Sequence, residues 1–207
     1  EDWIDGYCDT FNRHPDVAIF GGAIDPWFEG EPPAWLPMVL PIVESAYAIR
    51  RMNAAAPEDP IKASFLPFGA NLAIRKAEQE RFLYDPKLGP NADTQMRGEE
   101  TAVILRMLEA GIKGIWAPRA RVRHFLPKQR QTEAFLRGVY HGLGLISGRR
   151  MKERGEDGAG LRWQAFMGEA RYVLGKMLLS PSIWIKGLRH ASSAKGRIAG
   201  LQESTAP

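Results

Sequence analysis

Cysteine is almost missing from these 207 residues: Cys8 stands alone. That excludes an internal disulfide and gives no reason to place the chain in an oxidising compartment. A single thiol with no catalytic setting reads as a small buried hydrophobe. Also missing is any apolar run near the roughly 18 residues that a membrane-spanning helix needs. No secretory signal is found, and no segment repeats another. The chain opens on Glu1 rather than Met, a start expected of a fragment or of numbering that begins inside a longer protein.

What is present describes an ordinary globular chain with an unequal charge distribution. At 44% hydrophobic and 25% charged, it has enough apolar surface for a real core, most simply one domain with an extension. The formal net charge is +4. From Arg149 onward there are 11 Lys+Arg against 5 Asp+Glu, whereas the first 148 residues carry 17 against 19. A slightly acidic body is therefore followed by a basic tail.

The most informative stretch runs from Gly98 to Phe125. Glu99 and Glu100 open a helical pattern whose apolar residues continue to Leu108, and Gly111 ends it as a left-handed cap would. Ile115 to Ala117 reads as a short strand closed by Pro118. Arg119, Arg121 and Arg123 then alternate with Ala120, Val122 and His124, the two-residue period of a half-exposed strand. The three arginines read as a solvated face. An acidic pair at a helix start and an imidazole at a strand end are thereby sent towards one region.

Around this stretch the spacing predicts a helix over 1–13, a short strand over 17–20 and a turn at Gly21-Gly22, where glycine also lets a ligand approach closely. Residues 25–41 carry Pro26, Pro32, Pro33, Pro37 and Pro41 among Trp27, Phe28 and Trp35, and read as irregular. Their aromatics serve either as core plugs or as a platform for a sugar ring. A helix over 42–52, a strand at Leu72–Ile74, and a long polar connection over 77–96 containing Gly89-Pro90 follow. The last third reads as helix 133–145, a charged linker over 148–160, helix 161–179, a Ser180-Pro181 break, and apolar and basic residues beyond it.

Four of these patterns, in order, resemble the C-terminal half of a family 2 glycosyltransferase domain, the inverting enzymes of the GT-A fold. They are Val17-Ala-Ile-Phe-Gly-Gly22 with the Pro33-Ala-Trp35-Leu36 loop; Leu66-Pro-Phe-Gly-Ala-Asn-Leu-Ala-Ile-Arg75; Gly98-Glu-Glu100 with Arg106; and Trp116-Ala-Pro-Arg-Ala-Arg-Val-Arg-His124. The resemblance implies an α/β chain with a partial GT-A fold (the nucleotide-diphospho-sugar transferase fold), a mixed sheet flanked by helices. Residues 1–147 would be the acceptor-side half of the domain and 148–207 a basic amphipathic helical tail. The family's metal-holding Asp-x-Asp should lie just before Trp3 and is absent, with Glu1-Asp2 as a remnant of its neighbourhood. Glu100 stands where the family usually has Asp. The Gln-x-x-Arg-Trp motif of processive members is not found, since Gln129-Arg130-Gln131-Thr132 lacks the Trp, so a single sugar per encounter is expected.

Inverting transfer needs a base for the acceptor hydroxyl and positive charge on the departing diphosphate. By resemblance, Glu100 is the base and Glu99 its companion. His124 is the metal ligand for Mg or Mn, and Gly69 and Asn71 line the sugar site. The same resemblance places Gly21, Gly22, Trp35, Arg75 and Arg130 at the substrates. The blander reading makes the two glutamates helix-start charges that favour the macrodipole, and His124 a satisfied core residue. The implied partners are a nucleotide-sugar donor and a glycan or lipid-linked acceptor of the cell envelope. The expected location is the cytoplasm, with peripheral contact on the inner face of the membrane through the tail. The alternative is a non-catalytic module that docks on membrane or nucleic acid; for the enzyme reading no nucleic-acid partner is expected.

Overall fold

The order β2-β1-β3 puts β1 (Ile19–Phe28) at the centre of a three-stranded sheet, between β2 (Leu72–Ile74) and β3 (Gly114–Leu126). This computed structural model describes residues 2–84 and 99–203, of Glu99 only its backbone. β1 and β2 are antiparallel, with Ile19 opposite Ile74 and Gly21 opposite Leu72. Lys113 O accepts from Ala18 N at 3.1 Å and Leu126 O from Glu29 N at 3.0 Å, so β3 advances in the same direction as β1. The sheet is mixed, and seven helices accompany it among the described residues.

Two compact units are formed, one from Glu1–Trp27 with Tyr47–Phe125, the other from Phe28–Ala46 with Leu126–Pro207. In the first, the alternation of side chains along β1 divides the core. Phe20 joins Tyr7 of α1 (Trp3–Arg13) together with Val17, Ile115, Ala117 and Ala120. Ile19 joins Trp116, Ile61 and the buried stripe Val103, Ile104 and Met107 of α4 (Glu99–Glu109). α1 and α4 thus cover opposite faces of the sheet. Gly111, at φ +81°, closes α4 with Ile112 N–H bonded to Met107 O at 3.0 Å, the geometry that glycine adopts without a Cβ clash.

Several sequence expectations change here. Asp25–Pro41 is largely regular: β1 runs to Phe28 and α2 spans Trp35–Val43. Pro37 falls in the first turn, where its missing N–H has no intrahelical partner to lose. Pro41 forfeits one bond, offset by burial of Leu36, Val39, Leu40 and Val43. β1 passes straight through Gly21-Gly22, and β3 passes through Pro118, which a strand at the sheet's edge tolerates. Cys8 is exposed rather than buried. Within 77–96, α3 (Lys76–Arg81) is helical, while Gly89-Pro90 lies outside the described residues.

The second unit is helical. α5 (Glu133–Glu153) begins at Thr132, whose Oγ1 accepts from Phe135 N at 3.1 Å. It runs unbroken through the expected 147/148 boundary and consumes half of the expected linker. α6 (Leu161–Met177) and α7 (Pro181–Gln202) follow, α7 starting with Pro181 in its first turn. α7 packs against α5, α6 and α2. The approach is close: a Cβ on Gly168 would sit 2.5 Å from Ala191 N, and one on Gly196 2.1 Å from His141 O.

Candidate functional site

Glu100 stands in the first turn of α4, half-buried, and its carboxylate has a specific partner. Gly69 N–H donates to Glu100 Oε1 at 3.1 Å. Gly69 opens a short 3-10 turn, Gly69–Asn71, that leads into β2. A Cβ at Gly69 would lie 3.0 Å from that same oxygen, so glycine lets the carboxylate and the backbone amide meet. Two of the patterns that carry the resemblance, the Leu66–Arg75 segment and the Glu-Glu helix start, are brought together by this bond. The side chain of Glu99 lies outside the described residues.

Arg50, which the sequence alone did not mark, holds the loop before Gly69. Its guanidinium lies 4.0 Å from the Phe68 ring centre and 4.5 Å from that of Phe65, and its Nε donates to Leu66 O at 3.1 Å. Its backbone pairs with Ile24 of β1 through bonds of 2.8 and 3.0 Å. A weakly hydrated guanidinium stacked on aromatic faces suits a half-buried position. The signal available in the sequence was Phe65-x-x-Phe68 around Pro67, but the cation comes from a segment that reads as helix.

His124, near the end of β3, is half-buried, and its Nδ1 lies 2.8 Å from Tyr47 O. A carbonyl only accepts, so Nδ1 carries a proton and donates it to Tyr47 O. The bond fixes the orientation of the ring against the Tyr47 backbone. Tyr47 lies three residues before Arg50, so the imidazole and the Phe68-Gly69 loop that faces Glu100 are tied to one short segment. No direct contact joins Glu100 to His124 among the described residues. Nor is any group of three His, Cys, Asp or Glu there arranged to hold a metal ion.

The other expected residues are occupied by the protein itself. Asn71 is buried, and all its hydrogen-bonding positions are used. Nδ2 donates to Ala23 O at 2.8 Å and Ala120 O at 2.7 Å. Oδ1 accepts from Trp3 Nε1 and Tyr7 Oη, both at 2.8 Å. Burial pushes the Tyr7 phenol well above its ordinary value, which keeps it a donor. Gly21 and Gly22 face filled space: a Cβ would meet Pro67 at 2.7 Å from the first and Asn71 Nδ2 at 2.1 Å from the second. Arg75 is a clasp, donating to Val17 O at 2.6 Å and to Phe11 O and His14 O at 3.2 Å.

Trp35 and Arg130 belong to the second unit. There the Trp35 ring meets Trp184 edge-on at 5.1 Å, and the Arg130 guanidinium lies 5.9 Å from the Phe135 ring. The three alternating arginines are more than a solvated face. Arg119 pairs with Asp9 at 2.8 Å, Arg121 with Asp25 at 2.6 Å, and Arg123 lies over Trp27 at 5.3 Å. Arg106 donates to Leu83 O.

No protein-family profile matches the chain, and no solved structure does. The glucosyl-dolichyl phosphate glucuronosyltransferase of Haloferax volcanii is 25% identical over 130 residues, which are 60% of this chain and 39% of that enzyme. The chain is therefore distantly related to a glycosyltransferase, and spans well under half of that relative's length.

Proposed function

We infer that this chain takes part in glycosyl transfer. The chain contains the acceptor-side half of a family 2, GT-A-type domain that moves one sugar from a nucleotide-sugar to an acceptor hydroxyl with inversion. The observation that carries this reading is the hydrogen bond from Gly69 N–H to Glu100. It sets a carboxylate, half open to solvent, at the junction of two of the resemblance patterns.

In this reading Glu100 accepts the proton of the acceptor hydroxyl as that oxygen attacks the anomeric carbon. The Gly69 amide fixes one carboxylate oxygen and leaves the other to the acceptor. Arg50 is a positioning residue: it holds Phe65 and Phe68, and so sets the height of Gly69. Asn71 acts on the site by orienting the same loop against α1 and β3. A divalent cation, Mg or Mn, supplies positive charge to the departing diphosphate when bound. His124 is the residue of this chain that would hold such a cation, through Nε2, with Nδ1 anchored on Tyr47 O.

The test uses the polypeptide that contains this chain, assayed against a panel of nucleotide-sugars with a chelator, and the product's anomeric configuration read by NMR. Inverted product whose formation stops with chelator and returns with Mg or Mn is expected. Retained configuration, or turnover indifferent to chelator, contradicts the reading.

A further inference from the structure

α6 carries its large apolar residues on the wrong side for a helix surrounded by water. Leu161, Ala165, Gly168 and Gly175 are its buried positions, three of them small, and Gly168 and Gly175 meet α7. Trp163, Phe166, Met167, Val173, Leu174 and Met177 are exposed, Trp163 at 63%, Phe166 at 61% and Met177 at 77%. Their spacing of three, four and seven places them on one stripe along the length of the helix, about 25 Å. The Trp163 and Phe166 rings stack on each other at 5.5 Å within it. Leu179, 88% exposed, extends the apolar surface into the turn before α7.

A water-facing helix buries its bulky side chains and exposes small or polar ones. The reverse distribution, small residues between helices and bulky ones outward, is the packing of helices bathed in lipid. The same small-residue contact recurs on the other side of α7, where Gly144 and Gly148 of α5 meet Ser193 and Arg197. Among the described residues, however, no helix is long and apolar enough to cross a membrane. Of the two ways a helix can meet lipid, lying in the interface therefore fits and spanning does not.

The charges bordering the stripe select the kind of surface. Arg162 and Arg171 flank it on its two sides, both exposed. Glu169, the one carboxylate of α6, is held by Arg137 at 3.1 Å and Lys195 at 2.7 Å, so the helix itself sets no unpaired negative charge beside the stripe. We propose that the outward stripe of α6, with its flanking arginines, lies on an anionic lipid bilayer, the apolar side chains entering the acyl boundary and the arginines meeting lipid phosphates. This inference does not depend on the glycosyl-transfer reading.

The test is flotation of the 207-residue chain with vesicles of phosphatidylcholine alone or with phosphatidylglycerol added. Binding that needs phosphatidylglycerol and weakens with salt is expected. The double variant Phe166→Glu, Leu174→Glu loses at least about tenfold in partitioning, two charges now having to leave water. Its circular dichroism stays that of the parent, because neither side chain is a buried contact of α6. Arg162→Gln and Arg171→Gln each lower binding to phosphatidylglycerol vesicles by roughly fivefold. A chain that stays in solution with both vesicles, variants that float like the parent, or a stripe that instead pairs two copies of the chain in solution would each overturn the proposal.

Discussion

At the residue scale, Asn71 and Glu58 organise more of the first unit than their side chains suggest. Replacing Asn71 with Ala leaves two backbone carbonyls, an indole N–H and a buried phenol without their partner. At roughly 1–3 kcal/mol for each stranded buried group, partly relieved by water, the loss should be about 3 kcal/mol in a denaturant titration. Glu58 accepts from Arg13, from Thr10 at 2.8 Å, and lies 2.8 Å from His14. The Arg13 guanidinium, ahead of the opposing effect of burial, lowers its pKa from 4.5 to about 2. Because the folded value is the lower one, the associated stability is complete above pH 4.5 and disappears as pH falls towards 2. After screening at half-exposed Arg13, about 1–2 kcal/mol is at stake. Glu58→Gln should therefore lower the urea midpoint at pH 7, and the gap to the parent should close across that window. His124→Ala should raise the Mg or Mn concentration for half-maximal transfer by about 10–100-fold; an unchanged metal requirement would remove the imidazole from that role.

Among the elements, those whose reasons are local were readable in the sequence. α4 shows its apolar stripe and its terminal Gly111, and α1 and β2 likewise match their periodicities. α2 was hidden because proline normally argues against helix; what permits it is the position of Pro37 in the first turn and the burial of Leu36 and Val39. The Gly21-Gly22 pair looked like a turn, since the reason for two glycines in β1 lies in remote residues, Pro67 and Trp116 on one face, Asn71 and Ala120 on the other. In the helical unit glycines again separate by environment. Gly168→Val would drive a branched side chain into the α7 backbone and should cost about 1–3 kcal/mol in a thermal melt. Gly138→Ala, in α5 with nothing within 4 Å of the added methyl, should stabilise by about 0.5–1 kcal/mol.

For the whole molecule, the charge division between body and tail was legible, but the division into units was not. Residues 28–46 leave the body to join the helices that follow β3, a grouping made by long-range contact that no composition shift announces. The candidate site was half legible for the same reason. Glu100 and Gly69 are each visible in a pattern, yet the bond between them spans 31 residues, and Arg50 contributes from a third segment. In the proposed reaction the Glu100 carboxylate removes the acceptor's proton. Steady-state transfer by the polypeptide that contains this chain, parent against Glu100→Gln, measures that role, with nucleotide-sugar binding followed in parallel by calorimetry. The expected result is a fall in kcat of at least about 100-fold with donor affinity unchanged. A Glu100→Gln enzyme that turns over within a few-fold of the parent would contradict it.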